Sequence, residues 1–455
     1  MEVKGKTAIV IGLGRSGVAA ANLLLARGAD VIVNDAAPIE KWSDAAKALG
    51  EKGATLVPGG HHHADFANAD FVVISPGVPG FAALDAFEAT SYGVPGREVI
   101  GEMELASRFV SAPIVLIGGT NGKSTTTALT GEIFARWGKK TFVGGNFGTP
   151  LAEVVDEAWD WLVLEISSFQ AERVPTLHAR AHALLNITDD HLDRYAGFDA
   201  YAEAKGNPFV RMTKDDVAVI PKGDPIVEKQ ARRGAAKVVT FSSTDASADV
   251  ALDGDAIVDR TTGARYPLSL LHIAGRHNVE NACAAIALGS SMGAPESAIR
   301  EALEAFRGLG HRTALVGEIK GVRYYDDSKG TNVGASCAAL RGLIEAKAVL
   351  IAGGRDKLGD YKPLVDALRE KGRALVLIGE AADRIAEAAS GVVPIERAGS
   401  MAEAVEKAGA LAETGDAVLL SPACSSFDMF RDYKDRGDAF VRAVQELAQR
   451  PRVCS

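Results

Sequence analysis

The segment GGTNGKSTTT, residues 118–127, is the sequence feature that most constrains the fold. It follows PIVLI, residues 113–117, which predicts a short buried strand, and precedes ALTGEIFARW, which predicts an amphipathic helix. A strand, a Gly-rich turn, Lys-Ser and a helix are typical of a phosphate-binding loop, in which backbone N–H groups and the helix N-terminus hold phosphate oxygens. We therefore expect Lys123 to reach β- and γ-phosphates and the Ser124 hydroxyl to bind Mg²⁺.

This loop departs from the general pattern at one position. The pattern places Gly five residues before Gly122, and Ile117 stands there. The alternative interpretation is a Gly/Ser/Thr-rich turn with an exposed Lys. The flanking strand and helix lie where the phosphate-binding motif requires them, so a variant of that motif is favoured.

Length and composition indicate a folded protein of several domains. At about 150 residues per domain, 455 residues predict three domains. Hydrophobic content of 47% and charged content of 24% are typical of a folded chain, and a net charge of −9 argues against nucleic-acid binding. Four scattered cysteines without a CxxC pair predict reduced thiols and no zinc motif. The chain shows no signal-peptide pattern and no apolar run of about 18 residues, so we expect a cytoplasmic protein without a membrane span.

Alternating strand-like and helix-like segments predict an α/β fold with parallel sheets throughout the chain. We expect domains at 1–111, 112–309 and 310–455. Residues 240–270, rich in Asp, Thr and Gly, predict short strands and turns of a small added sheet. The strongest strand predictions are TAIVIGLG, ADVIVND and ADFVVISPG, then WDWLVLEISS and ARAHALLNIT, then VRYYDDS, AVLIAGG, ALVLIG and DAVLLSPAC.

The first domain carries GLGRSG after its first strand, with Asp35 closing the next strand. This is the dinucleotide fingerprint with its ribose-binding acid, although the same glycines also permit close helix–strand packing. NAD, FAD, another nucleotide and plain packing stay open. Since the phosphate loop already supplies an ATP site, a nucleotide-bearing substrate is favoured here. SPGVPG, residues 75–80, ends a strand at the same sheet edge and is either a ligand loop or a tight turn.

His61, His62 and His63 are consecutive, and three consecutive histidines seldom bind one metal ion. Adjacent side chains point in different directions, and no Cys or partner His stands nearby at metal-ligand spacing.

The central domain offers several polar candidates, each with a structural alternative. Glu165 ends an apolar strand and is either a Mg²⁺ ligand or an exposed strand-end carboxylate. Lys205, on a predicted helix, is expected to be solvated. Asn278 and Asn281 share a helix face and suit adenine or ribose recognition, unless Asn278 is the N-cap. NITDDHLDRY crowds polar groups that are either solvated charges or metal and substrate ligands: Asp189, Asp190, His191 and Asp193.

Taken together, these segments resemble the Mur ligase family. The matching pieces run in family order over nearly the whole chain, and the variant phosphate loop is the family's own form. EISSFQ and SPACSSFDMF point to its D-glutamate-adding branch. The segments are GLGRSG, ISPGVP, GGTNGKSTTT, GNFGTP, LEISSFQ, NITDDHLDRY, AGRHNVENACAA, GHR, DDSKGTN, AGGRDK and LSPACSSFDMFRDYKDRGDAF.

The resemblance implies an N-terminal Rossmann-like domain that binds a UDP-linked substrate, a central P-loop ATPase-like domain with a mostly parallel sheet, and a C-terminal Rossmann-like domain that binds D-glutamate. It implies that ATP phosphorylates UDP-N-acetylmuramoyl-L-alanine to an acyl phosphate, which the amine of D-glutamate attacks. It further implies two Mg²⁺ sites, carbamylated Lys205 and a monomer without nucleic-acid partners. Other ligases of the superfamily, a regulatory ATPase and, on GLGRSG alone, a dehydrogenase are the rival functions.

The resemblance also implies roles for individual residues. The catalytic set would be Lys123, His191, Lys205 and Lys329. ATP would contact Gly119, Thr120, Asn121, Gly122, Lys123, Ser124, Thr125, Asn281, Arg312 and Asp327. The metal ligands would be Ser124, Glu165, His191 and Lys205 as its carbamate. The UDP substrate would contact Arg15, Ser16, Asp35, Ser75, Gly77, Asn146 and His191, and D-glutamate would contact Thr331, Lys357, Ser426 and Tyr433.

Three positions depart from the family pattern. Pro208 is expected to break the helix after Lys205. Gly310 precedes His311 where Pro is common, which predicts a looser hinge into the third domain. Tyr433 replaces a Phe of some relatives and keeps the aromatic contact.

Overall fold

The computed structural model describes residues 1–190, 194–273, 275–356 and 360–449. Three separate sheets of five, nine and six strands follow one another along the chain, each with helices packed on it. The strands of the three sheets lie within 7–101, 114–267 and 314–420, so the predicted three-domain α/β architecture is confirmed. Over the described residues, no helix is both long and apolar enough to cross a membrane.

The first sheet is entirely parallel, with strand order β3-β2-β1-β4-β5. Its connections reverse direction between β1 and β4, where α/β sheets bind ligands outside the carboxyl ends of their strands. The GLGRSG turn lies at that end of β1. The strands are β1 (Thr7–Ile11), β2 (Asp30–Asp35), β3 (Thr55–Pro58), β4 (Phe71–Ile74) and β5 (Val99–Gly101), and the helices are α1 (Arg15–Ala26), α2 (Asp44–Glu51), α3 (Ala82–Ser91) and α4 (Glu102–Ser107).

The central sheet places its strand β6 between β9 and β8 in the order β14-β13-β12-β11-β10-β9-β6-β8-β7. β6 is buried along its whole length because helices cover both faces of a parallel sheet. The strands are β6 (Ile114–Gly118), β7 (Thr141–Gly145), β8 (Trp161–Glu165), β9 (Ala181–Leu184), β10 (Val217–Pro221), β11 (Lys237–Ser242), β12 (Val250–Asp253), β13 (Ala256–Asp259) and β14 (Ala264–Pro267). The helices are α5 (Lys123–Arg136), α6 (Ser168–Ala171), α7 (Phe198–Gly206), α8 (Pro225–Ala231), α9 (Arg276–Ser291) and α10 (Glu296–Ala305).

Residues 240–270 form strands as predicted, but the expectation of a separate small sheet was wrong. β12 pairs in parallel with β11, and β13 and β14 then add antiparallel strands. The meander therefore extends the edge of the central sheet, because β11 offers it an unpaired row of backbone groups.

The helix that carries Lys205 ends where Pro208 predicts. α7 stops at Gly206, and a 3₁₀ turn, Asn207–Arg211, continues it with the proline in its first turn, where a missing N–H costs little. Phe209 of that turn is fully buried and its ring lies 4.5 Å from the ring of His182 on β9.

The third sheet has the order β15-β16-β20-β17-β18-β19 and is parallel except for the β15–β16 pair. Its strands are β15 (Ala314–Ile319), β16 (Val322–Asp326), β17 (Ala348–Gly353), β18 (Gly372–Ile378), β19 (Ile395–Arg397) and β20 (Ala417–Leu420). Its helices are α11 (Val333–Gly342), α12 (Lys362–Lys371), α13 (Ala382–Ala388), α14 (Met401–Leu411) and α15 (Tyr433–Gln449).

The three sheets are joined by two different kinds of contact. One hydrophobic cluster runs from α1 and α4 into the central sheet, and includes Leu24, Leu105, Leu116 and Leu164. The third sheet meets the central one through α11 and α9 and through polar side chains. The first junction is therefore apolar, and the second is a polar cleft.

Candidate functional site

The phosphate loop connects β6 to α5 with the geometry that its glycines permit. Gly119 and Gly122 have φ of 137° and 85°, a region that favours Gly. A Cβ on Gly122 would lie 2.2 Å from Asn281 Oδ1. A side chain at position 122 would therefore strain the backbone and displace Asn281, which lies directly against the loop.

Asn186, just beyond β9, shapes the loop from below. Its side-chain Oδ1 accepts hydrogen bonds from the backbone N–H groups of Thr120 and Asn121, at 3.1 and 2.8 Å, and its Nδ2 donates to Asn121 O at 3.1 Å. The sequence analysis missed this residue, although an amide at the carboxyl end of a strand was the signal available.

Four side chains meet at the first turn of α5. The Ser124 hydroxyl donates to Glu165 Oε2 at 2.5 Å, and Asn146 Nδ2 donates to Glu165 Oε1 at 2.6 Å. Arg312 Nη2, from the segment that enters the third domain, donates to Ser124 Oγ at 2.7 Å. Glu165 is 3% exposed, so the alternative of a solvated strand-end carboxylate was wrong.

Ser124 and Glu165 form a pair that suits a magnesium ion. Both supply hard oxygen ligands, and they adjoin the phosphate loop. Within the described residues, no group of three or more His, Cys, Asp and Glu could hold a metal. A hydroxyl and one carboxylate fit Mg²⁺ nevertheless, because this ion usually keeps several waters and takes substrate phosphates as ligands.

Two lysines approach the same loop from opposite sides. Lys123 Nζ donates to Thr120 O at 2.7 Å, and Lys205 Nζ donates to Gly119 O at 2.7 Å. Lys205 is only 4% exposed, so the expectation of a solvated helical lysine was wrong. Burial, with the nearby charge of Lys123, lowers the pKa of Lys205 well below its ordinary value, while Asp190 and Glu165 oppose that shift.

The two asparagines of α9 lie together and are buried. Asn281 Nδ2 donates to Asn278 Oδ1 at 3.2 Å, and both residues line the cavity beside the loop. The alternative that Asn278 caps the helix was wrong, because α9 begins at Arg276 after Gly275 and has no side-chain cap.

A cavity of about 500 Å³ opens above the phosphate loop and is walled by two domains. The central domain contributes Thr120, Asn121, Gly122, Lys123, Ser124, Thr125, Asn146, Glu165, Asn278 and Asn281, and the third contributes Arg312, Asp327, Lys329 and Thr331. Gly119, Lys205, Ser426 and Tyr433 are outside its lining.

Asp327 is a buried carboxyl on the third-domain wall. Its Oδ2 accepts from Ser421 Oγ at 2.6 Å and its Oδ1 accepts from Thr313 N at 3.1 Å. Burial raises the pKa of Asp327 to about 7, although the hydrogen bond from Ser421 and the charge of Arg312 oppose the shift. The cavity can thus change its charge near neutral pH.

In the third domain, Lys329 of the loop after β16 lies against Tyr433, the first residue of α15. Lys329 Nζ lies 4.1 Å from the centre of the Tyr433 ring. Ser426 is buried, and its carbonyl accepts from the backbone of Phe430 at 2.9 Å. His191, Asp193 and Lys357 lie outside the described residues.

The predicted nucleotide contacts of the first domain lie apart from the cavity, at the carboxyl edge of the first sheet. Asp35 accepts from the backbone N–H groups of Leu13 and Ala37, at 2.8 and 2.9 Å, and Ser75 Oγ donates to Gly12 O at 2.6 Å. Both side chains thus brace the glycine turn. Ser16 is half-buried beside this turn and Gly77 is exposed.

Arg15 points toward the central domain. Its guanidinium donates to Gly148 O at 2.8 Å and to Thr149 Oγ1 at 3.2 Å, and it lies 3.5 Å from Glu153. It therefore links the glycine turn to the loop that carries Asn146.

Three family models match successive parts of the chain. They are the Mur ligase MurD-like N-terminal domain over residues 6–95, the Mur ligase middle domain over 117–289 and the Mur ligase glutamate ligase domain over 311–424.

Curated relatives match at full length. The UDP-N-acetylmuramoylalanine--D-glutamate ligase of Syntrophotalea carbinolica is 46% identical over 98% of this chain and 99% of its own length. The enzyme of the same name from Geobacter metallireducens is 45% identical over 98% and 99%. Among solved structures, the MurF ligase of Thermotoga maritima in complex with ADP has a TM-score of 0.62 at 16% identity, covering 98% of this chain and 97% of that one. The family resemblance inferred from the sequence motifs is confirmed, and the chain belongs to the Mur ligase family.

Proposed function

We propose that this chain is an ATP-dependent ligase that joins D-glutamate to UDP-N-acetylmuramoyl-L-alanine in peptidoglycan synthesis. The observation that carries the proposal is the junction of Arg312 with Ser124 and Glu165, because it completes the phosphate loop from two domains. The two full-length relatives, with 46% and 45% identity, are named for this substrate and this amino acid.

ATP would bind in the cavity above the phosphate loop. Backbone N–H groups at the N-terminus of α5 would hold its phosphates, with Lys123 and Arg312 supplying positive charge. Asn281 and Asp327, on opposite walls, would contact the nucleoside end.

Magnesium would be held by Ser124 and Glu165, and would neutralise charge on the transferring phosphoryl group. His191 would serve a second metal site. Lys205 would complete the arrangement as a carbamate, formed when its neutral amine adds to carbon dioxide and releases one proton. The lowered pKa of Lys205 favours the neutral amine that this reaction needs.

The residues of the chain would divide the reaction between binding and charge stabilisation. The substrate carboxylate would take the γ-phosphoryl group in the cavity, while Lys123 and Arg312 offset the charge that develops. The amine of D-glutamate would then attack the acyl phosphate, with Lys329 stabilising the tetrahedral oxyanion and phosphate leaving as the amide forms. Closure of the third domain over the central one would exclude water from the acyl phosphate.

The other two substrates would bind to the first and third domains. The UDP portion would lie along Arg15, Ser16, Asp35, Ser75 and Gly77, with Asn146 and His191 nearer the sugar-peptide end. D-Glutamate would be held by Thr331, Lys357, Ser426 and Tyr433. The chain would act as a cytoplasmic monomer. The reducing cytoplasm suits Cys283, Cys337 and Cys424, since these cysteines are buried and unpaired among the described residues.

The decisive experiment measures ADP release with each substrate omitted in turn. We expect release only when UDP-N-acetylmuramoyl-L-alanine and D-glutamate are both present. Lys123→Ala should abolish it, whereas Lys139→Ala, just beyond the other end of α5, should leave it near normal. Steady ATP turnover without either substrate would show an ATPase instead, and retained turnover in Lys123→Ala would place the chemistry elsewhere.

A further inference from the structure

The first domain has an aromatic pair at the edge where its substrate would bind. His61 follows β3, and Phe81 directly precedes α3. Their rings are stacked, with centroids 4.3 Å apart and an angle of 19° between the planes. The pair bridges the loop after β3 and the loop after β4, and Val78 of the latter lies against Gly12 of the glycine turn.

Asn34 fixes the orientation and the tautomer of His61. The Asn34 side chain is fully buried, and its Nδ2 donates to Val57 O at 2.8 Å and to Gly60 O at 2.9 Å. With both amide protons engaged, its Oδ1 faces His61 Nδ1 at 2.6 Å. Because this oxygen can only accept, Nδ1 must carry the proton, which leaves Nε2 as an acceptor.

The surroundings of His61 favour its neutral form. Burial lowers its pKa and outweighs the opposing charge of Asp35, while His62 lowers the pKa further. Among the described residues, no hydrogen bond is made by Nε2. The imidazole therefore presents one acceptor nitrogen with a fixed position and a fixed protonation state.

The other polar side chains of this edge hold the protein together. Asp35 accepts two backbone N–H groups, Ser75 donates to Gly12 O, and Arg15 reaches the central domain. Both oxygens of Asp35 already accept backbone N–H groups, and none of the three side chains offers an unprotonated ring nitrogen. His61 differs from them because its acceptor nitrogen has no hydrogen-bond partner among the described residues.

Uracil and cytosine differ at N3 and at the exocyclic group on C4, and N3 is the position considered for His61. Uracil carries a hydrogen-bond donor there, and cytosine carries a lone pair. We propose that His61 Nε2 accepts a hydrogen bond from the N3–H of the uracil base, with Phe81 supporting the imidazole from behind. This role rests on the proposed function, in that a uridine diphosphate sugar is the substrate. His61 is then the residue that makes the enzyme specific for uridine over cytidine nucleotides, since cytosine N3 would oppose one acceptor with another.

The test combines a change in the ligand with a change in the protein. Calorimetry would compare UDP, its N3-methyl analogue and CDP on the full chain and on His61→Phe, which keeps an aromatic ring against Phe81. We expect the wild type to bind UDP about tenfold more tightly than N3-methyl-UDP, the effect of one hydrogen bond. In His61→Phe, the affinity for UDP should fall by about tenfold, so that UDP and N3-methyl-UDP bind alike. His61→Gln, which has an acceptor oxygen, should partly restore the preference for UDP.

Steady-state kinetics separates this inference from the proposed function. His61→Phe should raise KM for the UDP substrate while kcat and KM for D-glutamate stay near wild-type values. An active enzyme whose preference for UDP over its N3-methyl analogue persists in His61→Phe would overturn the role of His61 and leave the ligase intact. Loss of that preference in a chain that shows no D-glutamate-dependent ADP release would support His61 and overturn the ligase. A wild type that does not bind UDP would overturn the role of His61.

Discussion

Arg312 and Ser124 stand 188 positions apart in the chain, yet the guanidinium of the first donates a 2.7 Å hydrogen bond to the hydroxyl of the second. Ser124 in turn donates to Glu165, so a side chain at the entrance to the third domain is coupled to the phosphate loop and to its candidate metal ligand. One further side chain crosses the same cleft nearby, since Asn332 Nδ2 lies 3.3 Å from both Asn121 Oδ1 and Asp190 Oδ2. The position of the third domain therefore determines whether the loop is complete.

Replacing Arg312 should disable the reaction and leave the fold intact. Arg312→Ala removes a positive charge from the cavity and the bond to Ser124, so we expect kcat to fall by about 100-fold or more. The Tm should change little because the side chain is only partly buried. ADP release and thermal unfolding are the measurements. Arg307 is an exposed arginine in the same segment that enters the third domain, and Arg307→Ala should keep full activity. Equal losses of activity in the two variants would contradict a specific role for Arg312.

Lys205 should be needed for ligation, and a small carboxylic acid should partly rescue a variant that lacks it. Lys205→Ala is expected to lower activity by about 100-fold, because a group that orients the metal's surroundings is removed. Added formate or acetate should restore a fraction of the activity by supplying the missing carboxylate. The assay is ADP release with and without the added acid. Full activity in the alanine variant would show that no carbamate acts here.

Glu102 should make stability fall as pH rises. Burial raises the pKa of this carboxyl to about 7, with a backbone hydrogen bond from Ala152 opposing the shift and Glu153 adding to it. The folded protein thus holds a proton that the unfolded chain loses near the ordinary value of 4.5. The contribution of this proton to the free energy of unfolding is fully present below pH 4.5 and is lost as the pH rises through about 7. Glu102→Gln lacks this loss, so its Tm advantage over wild type should grow across that window and then level off.

Glu104 provides a matched control for Glu102. It is also fully buried on α4, but its oxygens accept hydrogen bonds from Arg108, Thr176 and Leu177. Glu104→Gln should lower the Tm at every pH, because it weakens an ion pair and leaves a donor without its acceptor. A Tm gain that does not depend on pH in Glu102→Gln would contradict the prediction.

Gly122 should tolerate no side chain. Gly122→Ala combines a left-handed backbone, which costs about 1 kcal/mol, with a Cβ placed 2.2 Å from Asn281 Oδ1. We expect ATP binding to be lost together with several degrees of Tm. Gly138, just beyond the other end of α5, has a φ of 77° and open space around its Cβ, so Gly138→Ala should show only the backbone cost and bind ATP normally. Calorimetric titration with ATP separates the two variants, and similar affinities would mean that Asn281 yields readily.

The local motifs were readable in the sequence because they depend on neighbouring residues. The strand before Gly118, the helix after Lys123 and the break at Pro208 follow from periodicity, glycine freedom and the missing proline N–H, and all three are present. Burial of single polar side chains was predicted poorly. Glu165 and Lys205 both lie where local rules favour solvent, and both are buried because β8 and α7 pack under the phosphate loop.

What the sequence determined by itself was the order of strands and helices, the form of the phosphate loop and the family, since each is encoded within short segments. Tertiary structure alone decided the hydrogen bond from Arg312 to Ser124, the support of the loop by Asn186 and the proton position on His61 set by Asn34. These depend on distances of a few ångströms between residues far apart in the chain, which the packing of three sheets fixes and no local pattern records.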